Sequence, residues 1–214
     1  DELRRQRQMC IRDRLQIGAQ LDLTWKARLE EHLGSFQVEL IRSRTANVMN
    51  DRLLLAGMLS SATLINRFFP SGQVYKGFYE SSENLFDLLQ FPDIWTLGYL
   101  KWELELLETL GFGLDLEKCA VTGSTEDLKF ISPKSGRAVS QAGAGAWSSK
   151  LLPFPIAASG QVNSLEDILD GLKVSQFFLE RKVLVAFGIE QLPTARARFI
   201  SSLEKKIRNS TLHL

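Results

Sequence analysis

The feature that most constrains the fold is a leucine pattern that starts at Pro92 and ends at Gly111. The leucines recur at spacings of three and four, at Leu97, Leu100, Leu104, Leu107 and Leu110. This spacing places them on one face of an amphipathic helix. Proline favours the first turn of a helix and glycine the position just beyond its end, so both boundaries are marked. We expect these leucines to form the seam of a helical core.

The same segment carries glutamates at positions 103, 105 and 108. Paired carboxylates serve general acid–base catalysis in many enzymes, but the helical spacing puts these on a solvated face. The two histidines, His32 and His213, supply few bases for a nucleophilic triad. No GxxxxGK[ST] or strand-anchored GxGxxG motif is present. We therefore expect a protein that is not an enzyme.

Other segments predict an α+β chain. Strict alternation from Leu21 to Leu29, resumed at Phe36, indicates a β-hairpin with Trp25 facing inward. Helical periodicity follows Asn50, with a stop at Pro70. Further helices are predicted over about 74–89, from a Ser164–Asp167 cap through a buried run that includes Val185 to Gly188, and from Thr194. Residues 112–158 are rich in glycine and proline, with one short hairpin of 129–131 against 137–139.

Composition sets looser limits. The chain has 214 residues and 44% hydrophobic content, enough for one large domain or two small ones. Its longest apolar stretch, about 53–65, is shorter than the roughly 20 residues that span a membrane, so no membrane partner is expected. Two cysteines are too few for a disulfide framework, and no signal peptide begins the chain. We expect a fragment of a longer, cytoplasmic protein.

Two stretches together carry a family resemblance: GYLKWELELLETLGFGLDLEKCAVTG at 98–123 and ISPKSGRAVS at 131–140. Their order resembles the C-terminal domain of RecO, a bacterial recombination mediator family. The resemblance runs from about Leu15 and is strongest at 99–155. It implies a C-terminal remnant of an OB-fold, the terminal β-hairpin, over 15–45, and a mainly helical domain over 46–214 with an irregular insertion at 112–158. Residues 1–14 are unmatched, and foreign sequence is one explanation for them.

Many RecO proteins hold a structural zinc with two CxxC pairs around this insertion. Here Thr122 stands three residues after Cys119, and the following SQAGAGAW segment has no cysteine. One thiolate cannot build the tetrahedral site that structural zinc prefers. We expect a degenerate zinc-finger-like insertion without metal or cofactor, with Cys119 buried under the hairpin rather than metal-bound or redox-active. Packing then holds the insertion, through Leu128, Phe130, Val139 and Trp147.

Basic residues are the positive functional signal. The net charge is only +1, but both ends of the chain are basic and the middle is acidic. Candidate DNA-binding residues on the first hairpin and its exit are Lys26, Arg28, Arg42 and Arg44. Candidates near the C-terminus, for DNA or an acidic peptide tail, are Arg181, Lys182, Arg196, Arg198, Lys205 and Lys206. Ordinary solvated faces are the alternative.

The resemblance implies a function in DNA repair and homologous recombination. RecO-like proteins bind single- and double-stranded DNA, anneal complementary strands, bind the acidic C-terminal tail of single-stranded DNA-binding protein, and act with RecR to help load RecA. The alternative is a non-catalytic helical interaction scaffold without DNA binding. A thiol or metal enzyme centred on Cys119 is a third and weaker hypothesis.

Overall fold

The computed structural model describes residues 15–28, 34–45, 48–162 and 164–211. The strands are β1 (Gln20–Lys26), β2 (Ser35–Arg42), β3 (Leu128–Ile131), β4 (Ala138–Ser140) and β5 (Leu152–Pro153). The helices are α1 (Arg52–Phe68), α2 (Lys76–Asp87), α3 (Pro92–Thr109), α4 (Gln141–Ala144), α5 (Leu165–Phe178), α6 (Leu184–Phe187) and α7 (Thr194–Thr211). A π-helical segment, Leu179–Val183, joins α5 to α6. The architecture is therefore mixed but mainly helical, with two small sheets.

Helix α3 lies at the centre of the core, in contact with α1, α2 and α5. Leu100 and Leu107 of the predicted seam are fully buried, whereas Leu97 and Leu104 are only partly buried. The aromatic rings of Trp95 and Tyr99 and several other side chains are fully buried outside that stripe. Because neighbours pack on several sides, the buried arc of α3 is wider than the leucine spacing predicts.

Local signals placed the helix ends correctly. Pro92 is the first residue of α3, and Gly111 follows its end with a φ of +87°. Ser164 and Asp167 form a capping box at the start of α5. The helical run ends at Gly188, as predicted, and Gly188 has the left-handed conformation. The expected burial of Val185 is wrong, because its side chain is 74% exposed.

The first hairpin is antiparallel, and its apolar residues face one another across the strands. Trp25 pairs with Phe36 and Leu23 with Val38. The Trp25 and Phe36 rings lie 4.8 Å apart, but they are 49% and 61% exposed. The inward packing predicted for Trp25 is therefore wrong, because no described residue covers this face. The predicted turn with His32 lies outside the described residues.

The insertion contains the predicted second hairpin, β3 against β4, and adds β5 on the other edge of β3. Its small core consists of Cys119, Val139 and Ala144, against which Leu128 and Phe130 pack. The expected contribution of Trp147 is wrong, since that side chain is 65% exposed and lies 4.7 Å from the ammonium group of Lys150. Across the described part of the chain, no helix is both long and apolar enough to cross a membrane.

The contact between α1 and α3 gives a test of the core. A Cβ atom at Gly57 would lie 2.2 Å from Cη2 of Trp95, so Gly57→Ala forces a rigid ring to move. We expect the free energy of unfolding to fall by about 1–3 kcal/mol, despite the better helix propensity of alanine. Gly77→Ala in α2 is the matched control, because nothing lies within 4 Å of its Cβ position. Urea denaturation measures both, and an unchanged midpoint for Gly57→Ala would contradict the close packing.

Candidate nucleic-acid interface and the buried ion pair

The strongest electrostatic feature is a buried ion pair between α3 and α7. Arg196 is 2% exposed and Glu103 is fully buried. The Nη2 and Nε atoms of Arg196 donate to the two carboxylate oxygens of Glu103 at 2.7 and 2.8 Å. This two-point geometry is the strongest form of an arginine–carboxylate contact.

Neighbouring groups complete the hydrogen bonding of the pair. The hydroxyl groups of Ser175 and Tyr99 donate to the Glu103 carboxylate, and Tyr99 also lies 2.7 Å from the hydroxyl of Ser60. Burial would lower the pKa of Arg196, but the charge and hydrogen bonds of Glu103, together with weaker contributions from Tyr99 and Glu180, raise that pKa above its ordinary value. Burial raises the pKa of Tyr99, and the Glu103 charge adds to it. Arg196 is therefore a charged and fully paired structural residue.

Two sequence predictions are wrong here. Glu103 was expected on a solvated face, and Arg196 on an exposed surface for an acidic peptide. Helical spacing revealed neither position, because the two residues are 93 positions apart in the sequence and become neighbours only when α7 packs on α3 and α5. Arg198, two residues further along α7, is exposed.

The predicted DNA contact at Arg44 is also wrong. Arg44 was predicted to project towards DNA, but it is 3% exposed and binds the carboxylates of Glu83 and Asp87 on α2. Burial would lower the Arg44 pKa, but hydrogen bonds to the two acids raise it. Arg42 also contacts Asp87, at 2.7 Å, and keeps an exposed side chain. These contacts anchor the exit of the first hairpin to α2.

The remaining candidate cations are scattered over the surface. Lys26 and Arg28 are exposed on the first hairpin, and Lys26 donates to Gln37. Arg181 is exposed on the π-helical segment, and the adjacent Lys182 donates to the carbonyl of Lys134 at 3.3 Å. These cations therefore lie on the first hairpin and on the π-helical segment rather than on α7.

One group of cations does converge. Lys205 and Lys206, near the end of α7, line a cleft of about 640 Å³ with Arg52 at the start of α1. The other lining residues are Asn50, Asp51, Leu53, Ser202, Asn209 and Ser210. The Asp51 carboxylate caps α1 by accepting from two backbone N–H groups. We call this feature the basic cleft. Sequence reasoning missed Arg52 because only the packing of α1 against α7 brings it to the lysines.

Cys119 is buried in the insertion, as predicted. Its Sγ accepts from the backbone N–H groups of Val121, Thr122 and Ser140, and from the Ser140 hydroxyl, at 3.2–3.4 Å. A Cβ atom at Gly143 would lie 2.8 Å from the same sulfur. Positions 119, 122, 140 and 143 thus converge on one point. Among the described residues, no three His, Cys, Asp or Glu side chains cluster as metal ligands.

Burial would raise the pKa of Cys119, but hydrogen bonds from Ser140 and Thr122 outweigh it and lower that pKa to about 6. A depressed folded-state pKa means that ionised Cys119 stabilises the fold above its unfolded pKa of about 8.5, and that this stabilisation is lost as pH falls through about 6. Hydrogen-bond donors therefore surround the Cys119 sulfur at the point where positions 119, 122, 140 and 143 converge.

The comparisons with known proteins agree on one family. Residues 49–188 match the family model for the recombination protein O C terminal. The chain is 48% identical over 195 residues to the DNA repair protein RecO of Ruegeria sp. (strain TM1040), covering 90% of this chain and 80% of that protein. It is 47% identical over 193 residues to the DNA repair protein RecO of Jannaschia sp. (strain CCS1), covering 90% and 79%.

The match covers α1 to α6 and the insertion between them. The relatives extend it over most of the chain at close to half identity. A helical domain interrupted by a small three-stranded sheet is thus the class that the fold defines. The chain belongs to the RecO family.

Arg196→Met should lower the free energy of unfolding by about 3–5 kcal/mol, because it leaves the Glu103 carboxylate buried without its charge partner. The matched control Arg198→Met removes an exposed arginine from the same helix and should change stability by less than about 0.5 kcal/mol. Adding Glu103→Leu to Arg196→Met should restore part of the loss. Denaturant unfolding of the variants measures these differences, and equal stability of the two single variants would contradict the structural role.

Ultraviolet thiolate absorbance, followed through a pH titration of a Cys10→Ser background, tests the surroundings of Cys119. We expect a step near pH 6, because the donors stabilise the thiolate. Ser140→Ala removes the hydroxyl donor and should move the step to higher pH. A step near the ordinary thiol value of about 8.5 in the background protein would contradict the thiolate assignment.

Proposed function

We propose that this protein acts in DNA repair and homologous recombination as a non-catalytic DNA-binding mediator. Membership of a family whose relatives are named DNA repair proteins supports the repair role. The proposed activities are binding of single- and double-stranded DNA, annealing of complementary strands, and assistance in loading RecA on single-stranded DNA. The proposed partners are RecR and single-stranded DNA-binding protein, in the cytoplasm.

The observation that carries the DNA-binding part is the basic cleft. Lys205, Lys206 and Arg52 line it, and Asp51, the one carboxylate among its described lining residues, accepts hydrogen bonds from backbone N–H groups at the start of α1. A cleft with excess cations attracts a phosphate backbone, and each neutralised phosphate releases counterions. The side-chain amides of Asn50 and Asn209 in the lining add hydrogen-bond donors for phosphate oxygens. We therefore place the DNA backbone along the ends of α1 and α7.

The first hairpin is proposed to belong to an OB-fold, and the insertion to be a zinc-finger-like unit that holds no zinc. Lys26 and Arg28 remain exposed on the hairpin and offer a secondary DNA contact. Arg42 and Arg44 are not proposed as primary DNA contacts, because both pair with acidic residues of α2.

Fluorescence anisotropy with labelled single-stranded DNA tests the basic cleft. Lys205→Glu/Lys206→Glu should weaken binding at least about tenfold, and should reduce the dependence of log affinity on log salt by about one to two, because two phosphate contacts are lost. Both lysines are exposed, so the fold should tolerate the change.

The matched control is Lys101→Glu/Lys173→Glu, which makes the same change in net charge at exposed positions of α3 and α5. It should keep most of the affinity. Equal losses in the two double variants would show a general charge effect and remove the cleft as the site. Binding by neither variant nor parent would favour the alternative, a helical scaffold without DNA binding.

The acidic tail of single-stranded DNA-binding protein is proposed to bind through exposed cations, with Arg198 on α7 and Arg181 and the adjacent Lys182 on the π-helical segment as separate candidates. Arg196 is excluded from this role by its buried pairing with Glu103. Arg198→Glu should weaken an acidic tail peptide in an anisotropy titration far more than Lys26→Glu on the hairpin, because arginine grips carboxylates at two points. Equal affinities for parent and both variants would eliminate this site.

A further inference from the structure

A second groove, of about 550 Å³, lies between the insertion and the first turns of α5. Apolar side chains, including those of Leu116, Phe154 and Ile156, line part of it, and we call this apolar part the floor. The Ile156 side chain is 43% exposed, so part of this floor faces solvent. The size falls in the range of roughly 300–1,000 Å³ that is typical of binding pockets. We call this feature the acidic groove, for the residues that surround its floor.

The rim of the groove is strongly acidic. Four carboxylates line it, those of Glu117, Asp127, Asp167 and Asp170. Among the described lining residues the one cation is Lys129, whose Nζ lies 3.6 Å from Oδ1 of Asp127. Lys173 contacts Asp170 at 2.7 Å from outside the lining. In the described lining, four carboxylates therefore accompany one cation, whereas three cations and one carboxylate line the described part of the basic cleft.

We propose that the acidic groove docks a basic, partly apolar peptide segment of a protein partner. Lysine and arginine have apolar stems that can lie along the floor while their charged heads reach the rim. Complementary charge of this kind sets partner choice and orientation. The same carboxylates repel a phosphate backbone, so the groove and the basic cleft select different partners. This proposal does not depend on DNA binding at the basic cleft.

A bound metal ion does not account for the acids. The described residues contain no group of three or more acidic, histidine or cysteine side chains close enough to hold an ion. The four carboxylates are instead spread over the loop before Cys119, the start of β3 and the first turns of α5. Such a spread suits an extended chain with several cations better than a single small ion.

The test uses a fluorescent peptide of alternating lysine and leucine, with a lysine–serine peptide of equal charge as the comparison. We expect the lysine–leucine peptide to bind the parent more tightly than the lysine–serine peptide does, because the floor is apolar. Glu117→Lys/Asp170→Lys should weaken binding of the lysine–leucine peptide at least about tenfold, since two rim charges are reversed. Asp167 is left unchanged because it belongs to the capping box of α5.

The matched control Glu80→Lys/Glu190→Lys reverses two exposed acids away from the groove and should change the affinity less than about twofold. Lys205→Glu/Lys206→Glu should also leave peptide binding intact, which separates this result from any failure at the basic cleft. Equal weakening by the groove and control variants would overturn the proposal. The proposal would also be overturned if the parent formed a dimer but bound no peptide, and Glu117→Lys/Asp170→Lys formed no dimer. A second copy of the chain would then occupy the groove.

Discussion

The interaction on which the rest of the structure depends is the buried ion pair of Glu103 and Arg196. Removing two charges from water is costly, so the pair persists only because each carboxylate oxygen accepts two hydrogen bonds and the arginine also binds Gln176 and the carbonyl of Leu172. No buried side-chain polar atom of the described chain is left without a partner. The network ties α3, α5 and α7 together and reaches α1 through Tyr99 and Ser60. It adds to the packing of α7 against α1, where the basic cleft lies.

Two arginines of this protein stabilise the fold and are not available to bind a ligand. Arg196 and Arg44 look like surface cations in the sequence, but both are buried against acids. Among the cations left exposed, Lys205, Lys206 and Arg52 converge where α7 ends beside α1. The net charge is only +1, but basic side chains gather in the basic cleft and acidic side chains gather in the acidic groove, at different places on the surface. This division, rather than the total, is the physical basis for proposing two kinds of partner.

The insertion shows how a sheet of only three short strands keeps its shape. Hydrogen bonds from Ser140 and Thr122 converge on the sulfur of Cys119, and Val139 and Ala144 pack beside it. Gly143 leaves room for the sulfur, because any larger side chain would clash with it. The insertion also packs on the helical core through Ile131 and Ala138. Residues of β3 and of the loop before Cys119 also line the acidic groove, which is the proposed docking site.

The sequence by itself determined the local elements: the start of α3 at Pro92, its end before Gly111, the capping box of α5, and both hairpins. These features depend on residues a few positions apart, and backbone preferences act over that range. Tertiary structure alone decided which polar residues are buried, because Glu103 and Arg196 carry no local sign of being partners. It also decided that Trp25 and Val185 are exposed, and that Arg52 joins Lys205 and Lys206. These outcomes depend on how helices far apart in the chain pack together, and spacing within one helix contains no information about its neighbours.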